Sequence, residues 1–84
     1  MNFEVQLSRK AVKQLKNLDK KVRASVAEAL VEIEEDPFTG DYQKLKAGDG
    51  HRRRIGKYRI LFEIDTDLRL VTVYGIPHRR EAYR

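Results

Sequence analysis

The hydrophobic period of this chain changes twice, and that change confines its fold more tightly than any other feature. Phe3, Val5 and Leu7 alternate with polar residues, the period of two that sets one face of a strand against a core. From Ser8 the spacing lengthens. Ala11, Val12, Leu15 and Leu18 fall on one helical stripe, with Lys10, Lys13 and Lys16 off it, and the Ser8 hydroxyl is placed to cap the helix. Asp19 stands where a second helix needs a cap, ahead of a stripe made by Val22, Val26, Ala29, Leu30 and Ile33. Asp36-Pro37 ends that helix, because the proline ring disfavours the α region for the residue before it. So short a connection folds the two helices into an antiparallel hairpin.

Residues 37 to 50 read as a loop punctuated by Pro37, Gly40, Gly48 and Gly50, with a short turn around Tyr42 to Leu45. The period of two then returns. Residues 51 to 55 and 58 to 64 flank Gly56-Lys57, and glycine at the first central position suits a two-residue type II′ turn. A turn at Asp65-Thr66-Asp67 leads into an alternating, β-branched run from Leu68 to Ile76, which ends before Pro77. The order β-α-α-β-β-β predicts an α+β fold, an antiparallel twisted sheet with the helical hairpin packed on one face. At 84 residues the chain is expected to form one domain, residues 1 to 84, with no room for a second core.

If Gly56-Lys57 is the turn, Ile55 faces Tyr58, Arg54 faces Arg59, Arg53 faces Ile60 and Arg52 faces Leu61. Ile55, Tyr58, Ile60, Phe62 and Ile64 then share the core face, with Arg53 near its edge. Arg52, Arg54 and Arg59 share the opposite face. Like charges directly across a strand pair destabilise it by some tenths of a kcal/mol, so Arg54 opposite Arg59 is costly unless an anion lies between them. A phosphate is the natural candidate. Tyr58 and Tyr74 read as core aromatics and Tyr42 as loop packing.

Charge distribution points the same way. Residues 1 to 42 hold seven basic against eight acidic side chains, a net of −1, whereas residues 43 to 84 hold eleven against five, a net of +6. The second half is the polyanion-facing half. The chain has no cysteine, which removes disulfide and thiolate chemistry and fits a reducing compartment. No apolar run approaches the roughly 20 residues of a membrane span, and the opening MNFEVQLSRK lacks a signal-peptide core, so a cytoplasmic location is expected. His51 and His78 have no metal-ligand spacing around them, and Ser8 and Ser25 sit at a cap and on a helix surface, which leaves no triad. Arginines, two histidines and four tyrosines can stabilise a pentavalent phosphorane and move a proton. No metal or other cofactor is expected.

In SRKAVKQLKNL, the Asp36-Pro37 break, KLKAGDG, RRRIGKYRILFEID and the terminal VYGIPHRREAYR, the chain resembles the RelE/ParE superfamily of toxins from type II toxin-antitoxin systems, and it is most similar to the RelE branch. The resemblance covers nearly the whole chain and implies the same α+β fold. It implies a ribosome-dependent mRNA endonuclease, an mRNA interferase that inhibits translation. Such enzymes cut A-site codons without a metal, the RNA 2′-hydroxyl attacking the adjacent phosphate. It assigns catalytic roles to Arg52, Arg54 and Arg59, to Arg79 with Arg80 as the alternative, and to Tyr83. Arg53, Lys57, Lys44, Lys46, His78 and Arg80 would contact RNA or the ribosome. Arg54 and Arg59 would clamp the phosphate with planar guanidinium groups, and Arg79 would neutralise developing charge. Tyr83 would orient or deprotonate the 2′-hydroxyl, which requires cations to lower its pKa from about 10. Enteric relatives carry lysines where Arg52 and Arg54 stand. An arginine cannot exchange protons at neutral pH, so that task passes to Tyr83, His78 or the ribosome. The implied partners are a RelB-like antitoxin, the ribosome and mRNA, with no membrane. Two alternatives stay open: a ParE-like poison of DNA gyrase, and an inactive homologue that only binds RNA or ribosomes.

Overall fold

The computed structural model describes residues 2–45 and 50–78. Strand β1 (Glu4–Leu7) leads into helix α1 (Arg9–Lys16) and helix α2 (Lys20–Glu35). Strands β2 (Tyr42–Lys44), β3 (His51–Ile55), β4 (Tyr58–Asp65) and β5 (Leu70–Gly75) follow. The Ser8 hydroxyl accepts from the Ala11 N–H at 3.1 Å, as its position promised. Asp19 occupies the N-cap of α2, but its side chain makes no capping hydrogen bond. At the other end Asp36 turns to an extended conformation, φ −157° and ψ 109°. Its carboxylate accepts from the Phe38 N–H at 2.9 Å, closing the turn that sends the chain past buried Pro37.

The sheet order is β1-β5-β4-β3-β2. Three details depart from the sequence reading. Tyr42–Lys44 is an edge strand rather than a turn, pairing antiparallel with β3 through Tyr42 to Arg53, Gln43 to Arg52 and Lys44 to His51. The sheet is also mixed, because β1 runs parallel to β5, with Val5 beside Val71 and Leu7 beside Val73. The α+β class and the helical hairpin on one face stand as read. So does the β3–β4 register, in which Ile55 faces Tyr58, Arg54 faces Arg59, Arg53 faces Ile60 and Arg52 faces Leu61. Gly56 has φ +57° and Lys57 does not share that sign, as a type II′ turn demands. The last strand starts at Leu70 rather than Leu68. Leu68 is 71% exposed, and Arg69 adopts φ 52° while its carbonyl accepts from the Glu4 N–H at 2.8 Å. That bond feeds β1 into the sheet.

One core lies between the hairpin and the sheet. Ala11, Leu18, Val26, Ala29 and Ile33 from the helical layer meet Ile60, Phe62, Val71, Val73 and Ile76. Each large aliphatic or aromatic side chain buried here contributes roughly 1.5–3 kcal/mol. Ile55, Tyr58 and Ile64 pack against its margin, as alternation along β3 and β4 requires. Gln14 ties the layers together by accepting the Ile76 N–H at 2.6 Å. The opposite face of the sheet carries no helix among the described elements, and there Arg52, Arg54 and Arg59 project.

Candidate functional site

Alternation divides the Arg52-Arg53-Arg54 triplet between the two faces, and each member meets a different acceptor. Arg53 turns to the helical side and is 8% exposed. There its Nη2 pairs with the Glu32 carboxylate of α2, and its Nη1 donates to the Thr39 carbonyl at 3.2 Å. A charge in that position must be paired to be tolerated, and Arg53 is. The sequence placed it near the core edge and among RNA contacts; the structure makes it the tie between β3, α2 and the 39–41 turn. On the open face, Arg52 Nη2 donates to Gln43 Oε1 of β2, and Arg54 Nε donates to Asp41 Oδ2 at 2.8 Å.

Arg54 and Arg59 are a close cross-strand pair. The Arg54 N–H points outward to the Asp41 carbonyl at 2.9 Å, and the Arg59 N–H points the other way to the Pro77 carbonyl at 3.1 Å. The two residues therefore form a non-hydrogen-bonded pair, the geometry that brings side-chain stems closest, with Cα atoms about 4.5 Å apart. Arg52 is two residues along the same face, roughly 6.6 Å up the strand. Arg54 is half exposed, whereas Arg59 is 2% exposed. The face thus offers guanidinium at the surface and a second positive charge beneath it.

Other candidates lie elsewhere. Lys44 alternates onto the helical side of the edge strand, opposite His51. The His78 ring meets Tyr58 edge-on, with centroids 5.0 Å apart, beside Gln14, Asn17 and Leu18, which puts this expected RNA contact on the helical side. Lys57 projects from the hairpin turn near Lys21 and Ser25. Arg79, Arg80, Tyr83 and Lys46 lie outside the described residues.

Sequence reasoning assigned Tyr74 to the core, yet it alternates with buried Val73 and belongs to the open face. Burial, with Glu63 adding to it, raises its pKa above the usual 10.0, so it remains a phenol at neutral pH. A β-bulge between Leu61 and Phe62 shifts the β4–β5 register beside it; the sequence reading took Tyr74 for core as an aromatic in a β-branched run, although alternation along that run sets it opposite Val73. Tyr42 is likewise pushed up by burial and shares a 2.6 Å hydrogen bond with His51 Nδ1. The two rings stack with Phe62 at the end of the core. Asp41 and Gln43, the acceptors for Arg54 and Arg52, had no signal in the sequence, because the strand and turn that present them read as loop.

This helical hairpin on a five-stranded mixed sheet falls in a class of small toxins by its match to a known family. The family model described as ParE toxin of type II toxin-antitoxin systems, parDE, matches residues 5–83, and the chain belongs to that family. Within the wider superfamily it is RelE-like. RelE1 of Methanocaldococcus jannaschii, a protein named as a toxin, is 28% identical over all of this chain and 98% of its own length. The structure of the archaeal RelE–RelB complex from Pyrococcus horikoshii OT3 has a chain 25% identical, with a TM-score of 0.84 over 94% of this chain and 97% of that one. A mutant of Escherichia coli RelE in the free state, 21% identical, shares the fold at a TM-score of 0.81 over 99% of this chain and 90% of that one.

Proposed function

We propose that the open face of the sheet binds an RNA phosphate and that this toxin is a metal-independent, ribosome-dependent mRNA endonuclease. The single observation that carries this reading is the convergence of Arg52, Arg54 and Arg59 on that face. Two of them, Arg54 and Arg59, form a close cross-strand pair whose mutual repulsion an anion relieves. Arg54 and Arg52 make the first contact with the scissile phosphate. Arg59 contributes its charge from below, where a low dielectric strengthens its effect on a phosphorane above it. By the resemblance, Arg79 or Arg80 neutralises the leaving oxygen and Tyr83 orients or deprotonates the 2′-hydroxyl. The 2′-oxygen loses its proton and bonds to phosphorus, the P–O5′ bond breaks, and the departing 5′-oxygen takes a proton from water, so the products carry a 2′,3′-cyclic phosphate and a 5′-hydroxyl. The site of action is the ribosomal A site in the cytoplasm. The partner is a RelB-like antitoxin, in keeping with the RelE–RelB complex of the Pyrococcus relative.

In-vitro translation of a defined mRNA, read by primer extension, tests the proposal. Cuts within A-site codons are expected only with ribosomes present, falling by more than about tenfold in Arg59→Ala and in Tyr83→Phe. Wild-type cleavage in both variants would place the site elsewhere. The ParE name of the matching family favours one second reading, a gyrase poison that cuts nothing itself. Intact mRNA together with inhibited DNA supercoiling would establish it.

A further inference from the structure

We propose that Asp41 is a resident counter-ion of the arginine face: it occupies Arg54 in the free protein, stabilises the folded chain and competes there with the phosphodiester of an incoming strand. This rests on the reading of that face as a phosphate site. The sequence raised the problem of two arginines placed across from each other with nothing to offset them, and the structure supplies an anion from its own chain. Asp41 Oδ2 accepts from Arg54 Nε at 2.8 Å. The carboxylate is not a loose loop group. The Asp41 carbonyl accepts the Arg54 N–H at 2.9 Å and the Tyr42 N–H bonds to Gly40 at 2.8 Å. From behind, Arg53 holds the Thr39 carbonyl at 3.2 Å. With so much of the turn fixed, little entropy is lost in keeping the carboxylate on Arg54.

Charge and geometry give the consequence. Arg54 Nε is taken, and a phosphate approaching the Nη groups meets a full negative charge beside them. Both partners are about half exposed, so solvent screens the pair and the competition is mild. Removing the charge while keeping a hydrogen-bond acceptor separates the two roles. Asp41→Asn leaves Oδ1 to orient Arg54 and abolishes the repulsion.

The experiment is fluorescence anisotropy with a labelled single-stranded 2′-O-methyl RNA, which cannot cleave itself, across a salt series. It uses the full chain as wild type, Asp41→Asn, Arg54→Ala and the double variant. Asp41→Asn is expected to bind about threefold to tenfold tighter. The salt slope should steepen by about 0.7, as for one more neutralised phosphate on a single strand. The gain should vanish on the Arg54→Ala background, and the melting temperature of Asp41→Asn should fall. Unchanged or weaker binding by Asp41→Asn, with Arg54→Ala also weakened, overturns the counter-ion role and leaves the phosphate face standing. Absence of binding by every variant at low salt, or indifference to Arg54→Ala, overturns both. Asp41→Ser repeats the comparison should asparagine disturb the turn.

Discussion

Arg53 and Gly40 form a lock in which a charged side chain substitutes for core. Gly40 has φ +71°, and a Cβ built on it would overlap the Arg53 guanidinium. Gly56 has a similar φ of +57° with nothing within 4 Å of an added Cβ. The pair therefore separates two costs. Gly56→Ala is expected to lose only the left-handed backbone penalty, about 1–2 kcal/mol. Gly40→Ala should lose that and also dislodge Arg53 from Glu32 and Thr39, for a total of roughly 2–4 kcal/mol. Urea denaturation of the two variants measures the difference; equal losses would mean that Arg53 gives way without consequence. At this scale the sequence was legible wherever alternation decides a face. It sorted Arg52, Arg54 and Arg59 from Ile55, Ile60 and Phe62 correctly. It could not show that Arg53 finds Glu32, twenty-one residues away, because that pairing depends on how the hairpin lies across the sheet.

Helix α2 carries its charges against its own dipole. Lys20, Lys21 and Arg23 crowd its N-terminus, Glu32, Glu34 and Glu35 its C-terminus, and neither terminal turn has a residue of the favourable sign. Each such charge costs about 0.3–1 kcal/mol at low ionic strength. The preceding helix offsets part of this at the shared elbow. Lys13 and Lys16 fall in the last turn of α1, where positive charge is favourable, and Arg23 reaches back to the Lys16 carbonyl at 3.4 Å. Replacing Lys20 and Lys21 by glutamate is expected to stabilise the fold by about 0.5–2 kcal/mol in low salt, shrinking as salt rises. A gain that ignores salt would point to propensity rather than the dipole. Both helices were readable because a stripe repeated over several turns is a strong signal. Strand β2 was not, since three residues hold too little alternation to register. A fourteen-residue structureless loop is nonetheless uncommon in so small a fold, and that was the clue available. The start of β5 escaped for a related reason: Arg69 in a left-handed conformation lacks the glycine that normally advertises one.

Across the whole molecule, a net charge of +5 is concentrated away from the acidic end of α2, which leaves a surface with two signs. An acidic antitoxin that binds only the folded state would cover the basic face and raise the melting temperature by mass action. Titration with the product of a neighbouring gene is expected to raise it progressively with concentration. An unchanged melting temperature at saturating partner would exclude that product as the antitoxin. Among the described residues no helix is long and apolar enough to cross a membrane. The pairing of β1 with β5 could not be read from the sequence at all. Alternation gives a strand its faces, but it does not name the strand's neighbour.

That pairing also sets the order in which the molecule can be assembled. Glu4–Leu7 lies beside Leu70–Val73, so β1 waits for β5, some sixty-odd residues later in synthesis. The helical hairpin and the β3–β4 ribbon can form from local contacts, but the sheet closes only through the longest loop in the chain, a contact of high order that slows folding. Synthesis proceeds from the N-terminus at about 5–20 residues per second. Until β5 is made, β1 has no strand to pair with. A protein proposed to cut messages at the ribosome is thus built so that its sheet is completed only after β5 has been translated.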